Sequence, residues 1–141
     1  MEPDSPPPQL CYDRHMHRSK LAGFIIDCNT PDLDAAAEFW SAALGLAITS
    51  DPDEDAGYRH LANGPGDLHI EVQKVDHPSR VHLDIESDDI EAEVRRLEGL
   101  GARRVDAIKR WVVMEAPTGQ RFCVVRPQSR RFESEANEWS E

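Results

Sequence analysis

The stretch RVHLDIESDDIEAEVRRLEGLGA, residues 80–102, contains a strand, a helix and the turn that ends it. Val81, Leu83 and Ile85 alternate with His82, Asp84 and Glu86, the period of two that gives a strand one apolar and one polar face. Ser87 is placed to cap a helix over 88–100. Asp88 and Asp89 sit at its positive end, and Ile90, Val94 and Leu97 form its inner stripe. Glu91 and Arg95 stand at i,i+4 spacing on the solvent side, and Gly101 suits the turn that closes the helix. His82 raises the functional question. A histidine on the polar face of a strand is either a metal ligand in a cleft or a ring held by a carboxylate neighbour.

Working outward, the first half of the chain has the same order. A strand over 21–28 (LAGFIIDC) leads to a helix over 31–44, in which Leu33, Ala36, Ala37, Trp40, Ala43 and Leu44 recur at helical spacing. Thr30 is its expected cap and Gly45 its left-handed end, and Phe39 and Trp40 are expected in the core. An acidic loop and strands over 57–64 and 68–75 follow. The second half continues with strands over 102–108, 110–117 and 120–127, the last two joined by a PTGQ turn. Both halves are read on one plan of strand, helix and three strands, of which the first half marks two strands after its helix. The expected fold is therefore α+β: two βαβββ modules, 21–75 and 80–127, paired into a half-open, barrel-like cleft within one domain over 20–128.

Residues 1–19 carry a Pro-Pro-Pro run and are expected to be a mobile tail, with His15 and His17 able to pick up only stray metal. Residues 129–141 read as a polar tail, either a short docked helix or a frayed end. The net charge of −11 lies mostly between the tails and offers no electrostatic footprint for nucleic acid or an anionic membrane. There is no apolar run of membrane-spanning length and no signal-peptide core, which points to the cytoplasm. Cys11, Cys28 and Cys123 form no CxxC pair, so neither a disulfide framework nor a zinc knuckle is expected.

Three segments carry a family resemblance: IIDCNTPDLDAAAEFWSAALGL (25–46), VHLDIESDDIEAEVRRLEGLGA (81–102) and EAPTGQRFCVV (115–125). In this order they resemble the opening motifs of both modules and the closing hairpin of the vicinal oxygen chelate superfamily, which includes glyoxalase I, extradiol dioxygenases and bleomycin-resistance proteins. The resemblance covers about residues 21–127. It implies four inward metal-ligand slots, here Gly23, Glu71 (or its same-face neighbour His69), His82 and Cys123. Active members show His, Glu/Gln/His, His and Glu there. His82 and Glu71 keep the pattern and are the expected metal ligands, whereas Gly23 and Cys123 depart from it.

The candidate cleft residues are Asp27, His69, Glu71, Gln73, His82, Asp84, Trp111 and Cys123. Tyr58 and His60 are either cleft wall or routine strand residues. A set of His69, Glu71 and His82 would suit a divalent zinc, nickel or iron ion. Trp111 could floor a pocket for a flat ligand. The acidity of Asp27, Glu71, Asp84 and Glu86 points to a cationic or donor-rich ligand. The first functional expectation is a small-molecule binder with a degenerate metal site. The alternative is a metal-dependent lyase, isomerase or dioxygenase acting on vicinal oxygens. Analogy and the open sheet edges suggest a homodimer. No nucleophile turn, phosphate loop or dinucleotide fingerprint is present.

Overall fold

The computed structural model describes residues 16–49, 56–108 and 110–140. The Pro-rich segment with Cys11 and His15, and the acidic loop over 50–55, lie outside the described residues. The elements are β1 (Met16–Cys28), α1 (Leu33–Leu44), β2 (Tyr58–Gly64), β3 (Leu68–Lys74), β4 (Arg80–Ser87), α2 (Ile90–Gly99), β5 (Arg103–Ile108), β6 (Trp111–Glu115), β7 (Arg121–Val125), α3 (Phe132–Glu135) and β8 (Asn137–Ser140).

The strands form one open sheet ordered β2-β3-β1-β4-β7-β6-β5, with β8 attached to β1. In each module the closing strand lies parallel to the opening one: β3 beside β1 and β7 beside β4. The modules join where β1 and β4 run antiparallel, with Ile25 opposite His82 and Gly23 opposite Asp84. The paired βαβββ plan is thus present, and among the described residues the first module's second strand shows as a single bridge between Ile48 and Leu61.

Both helices pack on the outer face. α1 covers Ile26, Cys28, Leu61, Ile70 and Val72, while α2 closes over Val112, Met114 and Val124 with its own Val94 and Leu97. The caps differ from expectation by two residues at each helix. The Asp32 carboxylate, not Thr30, accepts from Ala35 N, and Asp89, not Ser87, accepts from Ala92 N. The Thr30 and Ser87 hydroxyls instead accept from the Asp32 and Asp89 backbone N–H groups, which shapes the entry to each helix. Gly45 ends α1 at φ 70°, as its position suggested. Phe39 is 61% exposed and Leu44 is also exposed, so the apolar stripe of α1 is buried only in its first two turns. Glu91 pairs with Arg104 on β5 at 2.9 Å.

The two tails need correction. Met16–Ser19 are not tail but the start of β1, paired antiparallel with β8. The cause is a polar knot beneath α2. His17 Nε2 lies 2.8 Å from Glu93 Oε1, and the Ser19 hydroxyl donates to Glu93 Oε2 at 2.9 Å. Trp139 on β8 donates its indole N–H to Ser19 Oγ at 2.9 Å, and the Arg96 guanidinium lies 3.9 Å from the Trp139 ring centre. His17 is therefore a buried partner of Glu93, not half of a stray metal pair. The ordered domain extends beyond 20–128 at both ends. Cys28 and Cys123 are free thiols.

Candidate functional site

Strand alternation turns one residue in two towards the concave face, where a cleft of ≈ 1360 Å³ opens. Asp27 from β1, Glu71 and Gln73 from β3, and His82 and Asp84 from β4 line it. Trp111 from β6 and Cys123 from β7 complete the expected wall. His69 joins it indirectly, through Glu71. Gln73 donates to the Tyr58 hydroxyl at 2.9 Å, which fixes both side chains on the β2–β3 wall.

His82 lies at the junction of the modules with its side chain 13% exposed. Its Nδ1 is 2.7 Å from Asp27 Oδ2, and its Nε2 faces Asp84 Oδ1 at 3.5 Å. Burial pulls the imidazole pKa down, but the hydrogen bonds with Asp27 and Asp84 and the Cys123 contact outweigh it and push the value up to about 11. Asp84 moves the other way from the usual ion-pair case: its burial raises the carboxyl pKa despite His82. The 3.5 Å contact is electrostatic, and Oδ1 of both Asp27 and Asp84 is buried without a hydrogen-bond partner.

A second cluster occupies the first-module wall. His60 on β2 faces Glu71 on β3 in register, and His69 precedes Glu71 by two residues on the same strand face. His60 Nε2 and His69 Nε2 both approach Glu71 Oε2, at 2.7 and 2.5 Å. Burial alone would raise the Glu71 pKa, but the two histidine hydrogen bonds and their charge hold it down to about 2. His60 was expected only as cleft wall or a routine strand residue, not as a partner of Glu71. Only its cross-strand register with Glu71 marks it, and one sequence cannot supply that register. The expected metal pair is also divided. Among the described residues closely spaced donors form two sets, His60–His69–Glu71 and His82–Asp84–Cys123, so Glu71 and His82 belong to different clusters.

At Gly23 the β1 backbone presses against β3. A Cβ there would lie 1.8 Å from the His69 carbonyl oxygen, and the β1–β4 register shifts between Leu21 and Gly23.

A model of the glyoxalase-like domain matches residues 23–125, most of the chain. The chain belongs to the glyoxalase-like domain family. No curated protein matches it by sequence. Its fold is that of the vicinal oxygen chelate superfamily. Methylmalonyl-CoA epimerase from Mycobacterium tuberculosis superposes with TM-score 0.56 at 21% identity, covering 78% of this chain and 89% of that one. A variant of 4-hydroxymandelate synthase from Streptomyces coelicolor gives TM-score 0.55 at 16% identity, covering 81% of this chain and 50% of that one. An extradiol ring-cleaving dioxygenase from B. fuscum gives 0.52 at 15%, with 78% of this chain and 33% of that one covered.

In this glyoxalase-like domain the four-slot metal arrangement does not fit. Position 23 has no room for a ligating side chain, Cys123 replaces a carboxylate, and both nitrogens of His82 face carboxylates. The carboxylates behind the expectation of an acidic cleft are paired, while Asp76 and Asp106 also line it. Asp27 and Asp84 are matched by His82, and Glu71 by two histidines. Glu86 is fully buried, bound by Lys20, the Gln128 and Ser129 backbone N–H groups and the Ser129 hydroxyl. The arginines and lysine of the cleft without a carboxylate partner among the described residues are Lys74, Arg110 and Arg121, and the two arginines directly precede Trp111 and Phe122 in sequence. No helix among the described residues is long and apolar enough to cross a membrane.

Proposed function

We propose that this glyoxalase-like domain binds a flat organic anion in its cleft, with His82 serving as a buried cation that organises the pocket. The supporting observation is the clamp on His82. One His82 nitrogen is hydrogen-bonded to Asp27 and the other faces Asp84 at 3.5 Å, and two nearby carboxylates favour the imidazolium over the neutral ring. A metal ligand must be neutral at the coordinating nitrogen, so the clamp opposes metal at this position. Arg110 and Arg121 supply cationic donors for a carboxylate or phosphate, and Trp111 supplies an aromatic face. The test is calorimetry on chelator-treated protein with a panel of aromatic and α-keto carboxylates beside a matched panel of amines. Carboxylates should bind, at least about tenfold more weakly in Arg121→Ala, the scale of one charge-assisted contact. Preference for the amines would contradict the proposal.

A second reading is a metal-dependent lyase, isomerase or dioxygenase, and one observation favours it. Asp84 is a buried carboxyl with a raised pKa and an unpartnered oxygen beside His82, the setting of a general base. Chelator-sensitive turnover of a vicinal-oxygen substrate, lost in Asp84→Asn, would carry that reading.

The homodimer also belongs to this proposal. Leu21, Val81 and Leu83 share the outer face where β1 meets β4 and stay exposed, Val81 by 57% and Leu83 by 51%. An apolar strip of this kind on a sheet face is suited to a second copy of the chain. The cytoplasmic location expected from the sequence remains part of the same proposal.

A further inference from the structure

The geometry points to a divalent-metal site built by His60, His69 and Glu71 on the first-module wall of the cleft. An antiparallel ribbon sets directly opposed residues side by side, and residues two apart on one strand share a face. His60 and Glu71 are the opposed pair, and His69 is the neighbour two positions before Glu71. Three different side chains therefore leave one patch of the β2–β3 ribbon, and their donor atoms all lie within 4.8 Å of one another. The two imidazole rings stand 5.2 Å apart at 67°, an edge arrangement that aims both Nε2 atoms at a single carboxylate oxygen.

Two imidazoles and one carboxylate form the donor set that suits zinc, nickel or ferrous ions. An ion would replace the contacts that the two rings now make with Glu71 Oε2. Three protein ligands leave coordination open, and His60 and Glu71 line the cleft, so the open side faces any molecule held there. The site shares only the second of the four family slots, Glu71 or its neighbour His69. The same strand approach that empties the slot at Gly23 brings the β1 backbone against His69. The rival set, His82–Asp84–Cys123, needs a thiolate as well as a carboxylate, and its histidine is already clamped by two carboxylates.

The inference is independent of anion binding by chelated protein, and the probe is the metal alone. Full-length, untagged, metal-stripped protein is titrated with zinc by calorimetry and with cobalt by absorption. The expected result is one ion per chain, with affinity at least about tenfold lower in His60→Gln and in His69→Ala, the loss typical of disturbing a metal's ligands. Cys123→Ser should bind as wild type, and the cobalt complex should show ligand-field bands without thiolate charge transfer. His60 is half-exposed, so His60→Gln reports on ligation with little risk to folding. Absence of stoichiometric zinc in the wild type would overturn the site. So would binding that survives both histidine variants and disappears in Cys123→Ser with a thiolate band in the wild type, which would move the ion to the His82 cluster.

Discussion

Gly23 on β1 packs so closely against His69 on β3 that a methyl group at position 23 would sit 1.8 Å from the His69 carbonyl oxygen. The obstacle is backbone, which no rotamer change relieves. Gly23→Ala should destabilise the fold by more than about 4 kcal/mol, in the range reserved for severe steric or packing faults. Urea denaturation of the variant measures it. Gly23→His should be worse, and it should not create a four-ligand metal centre. A stable, metal-binding Gly23→His protein would show that the strands can separate.

Stability should depend on pH on both sides of neutrality, with opposite signs. His82 is raised from 6.5 to about 11, so its contribution is complete below about 6.5 and falls away as the pH climbs through about 11. Glu71 is lowered from 4.5 to about 2, so its contribution is complete above about 4.5 and falls away as the pH drops towards 2. Asp84, raised by burial, costs stability while ionised and recovers it on protonation. Urea midpoints measured across pH should slope down above neutrality in the wild type. In His82→Gln they should lie flat there.

Trp139 should anchor the start of β1. Trp139→Ala removes the indole bond to Ser19 and the ring beneath Arg96, with a loss of about 1–3 kcal/mol. Hydrogen exchange resolves the effect, with faster exchange at residues 16–19 and little change at residues 24–28. Uniform acceleration along β1 would mean that β8 supports the whole sheet and not one corner.

The exposed strip between the helices predicts the oligomeric state. Leu83→Asp should convert a dimer to a monomer in sedimentation while leaving far-ultraviolet circular dichroism unchanged. A wild-type monomer at high concentration would remove the dimer from the account.

The fold was legible because its signals are local and repeated. The alternation of Val81, Leu83 and Ile85 with His82, Asp84 and Glu86, and the helices ending near Gly45 and Gly101, are carried by neighbouring residues. The tails were not legible, because His17 and Trp139 look like polar-tail residues until Glu93, far away in sequence, supplies the partner. The candidate site divides in the same way. Alternation was enough to turn Asp27, Glu71, His82 and Asp84 inward, whereas the pairing of His60 with Glu71 depends on the register between β2 and β3. The pairing of the cleft carboxylates was hidden for a related reason: counting carboxylates ignores the histidines that fold against them.

The central claim is that His82 is a cation held by Asp27 and Asp84 at the position where the family resemblance led us to expect a metal ligand. The most direct measurement is its imidazole titration, followed by nitrogen and proton chemical shifts in isotope-labelled protein, with His82→Gln for assignment. The account predicts both ring nitrogens protonated through pH 9, with deprotonation near 11. A neutral ring at pH 8, titrating near the ordinary histidine value, would contradict it.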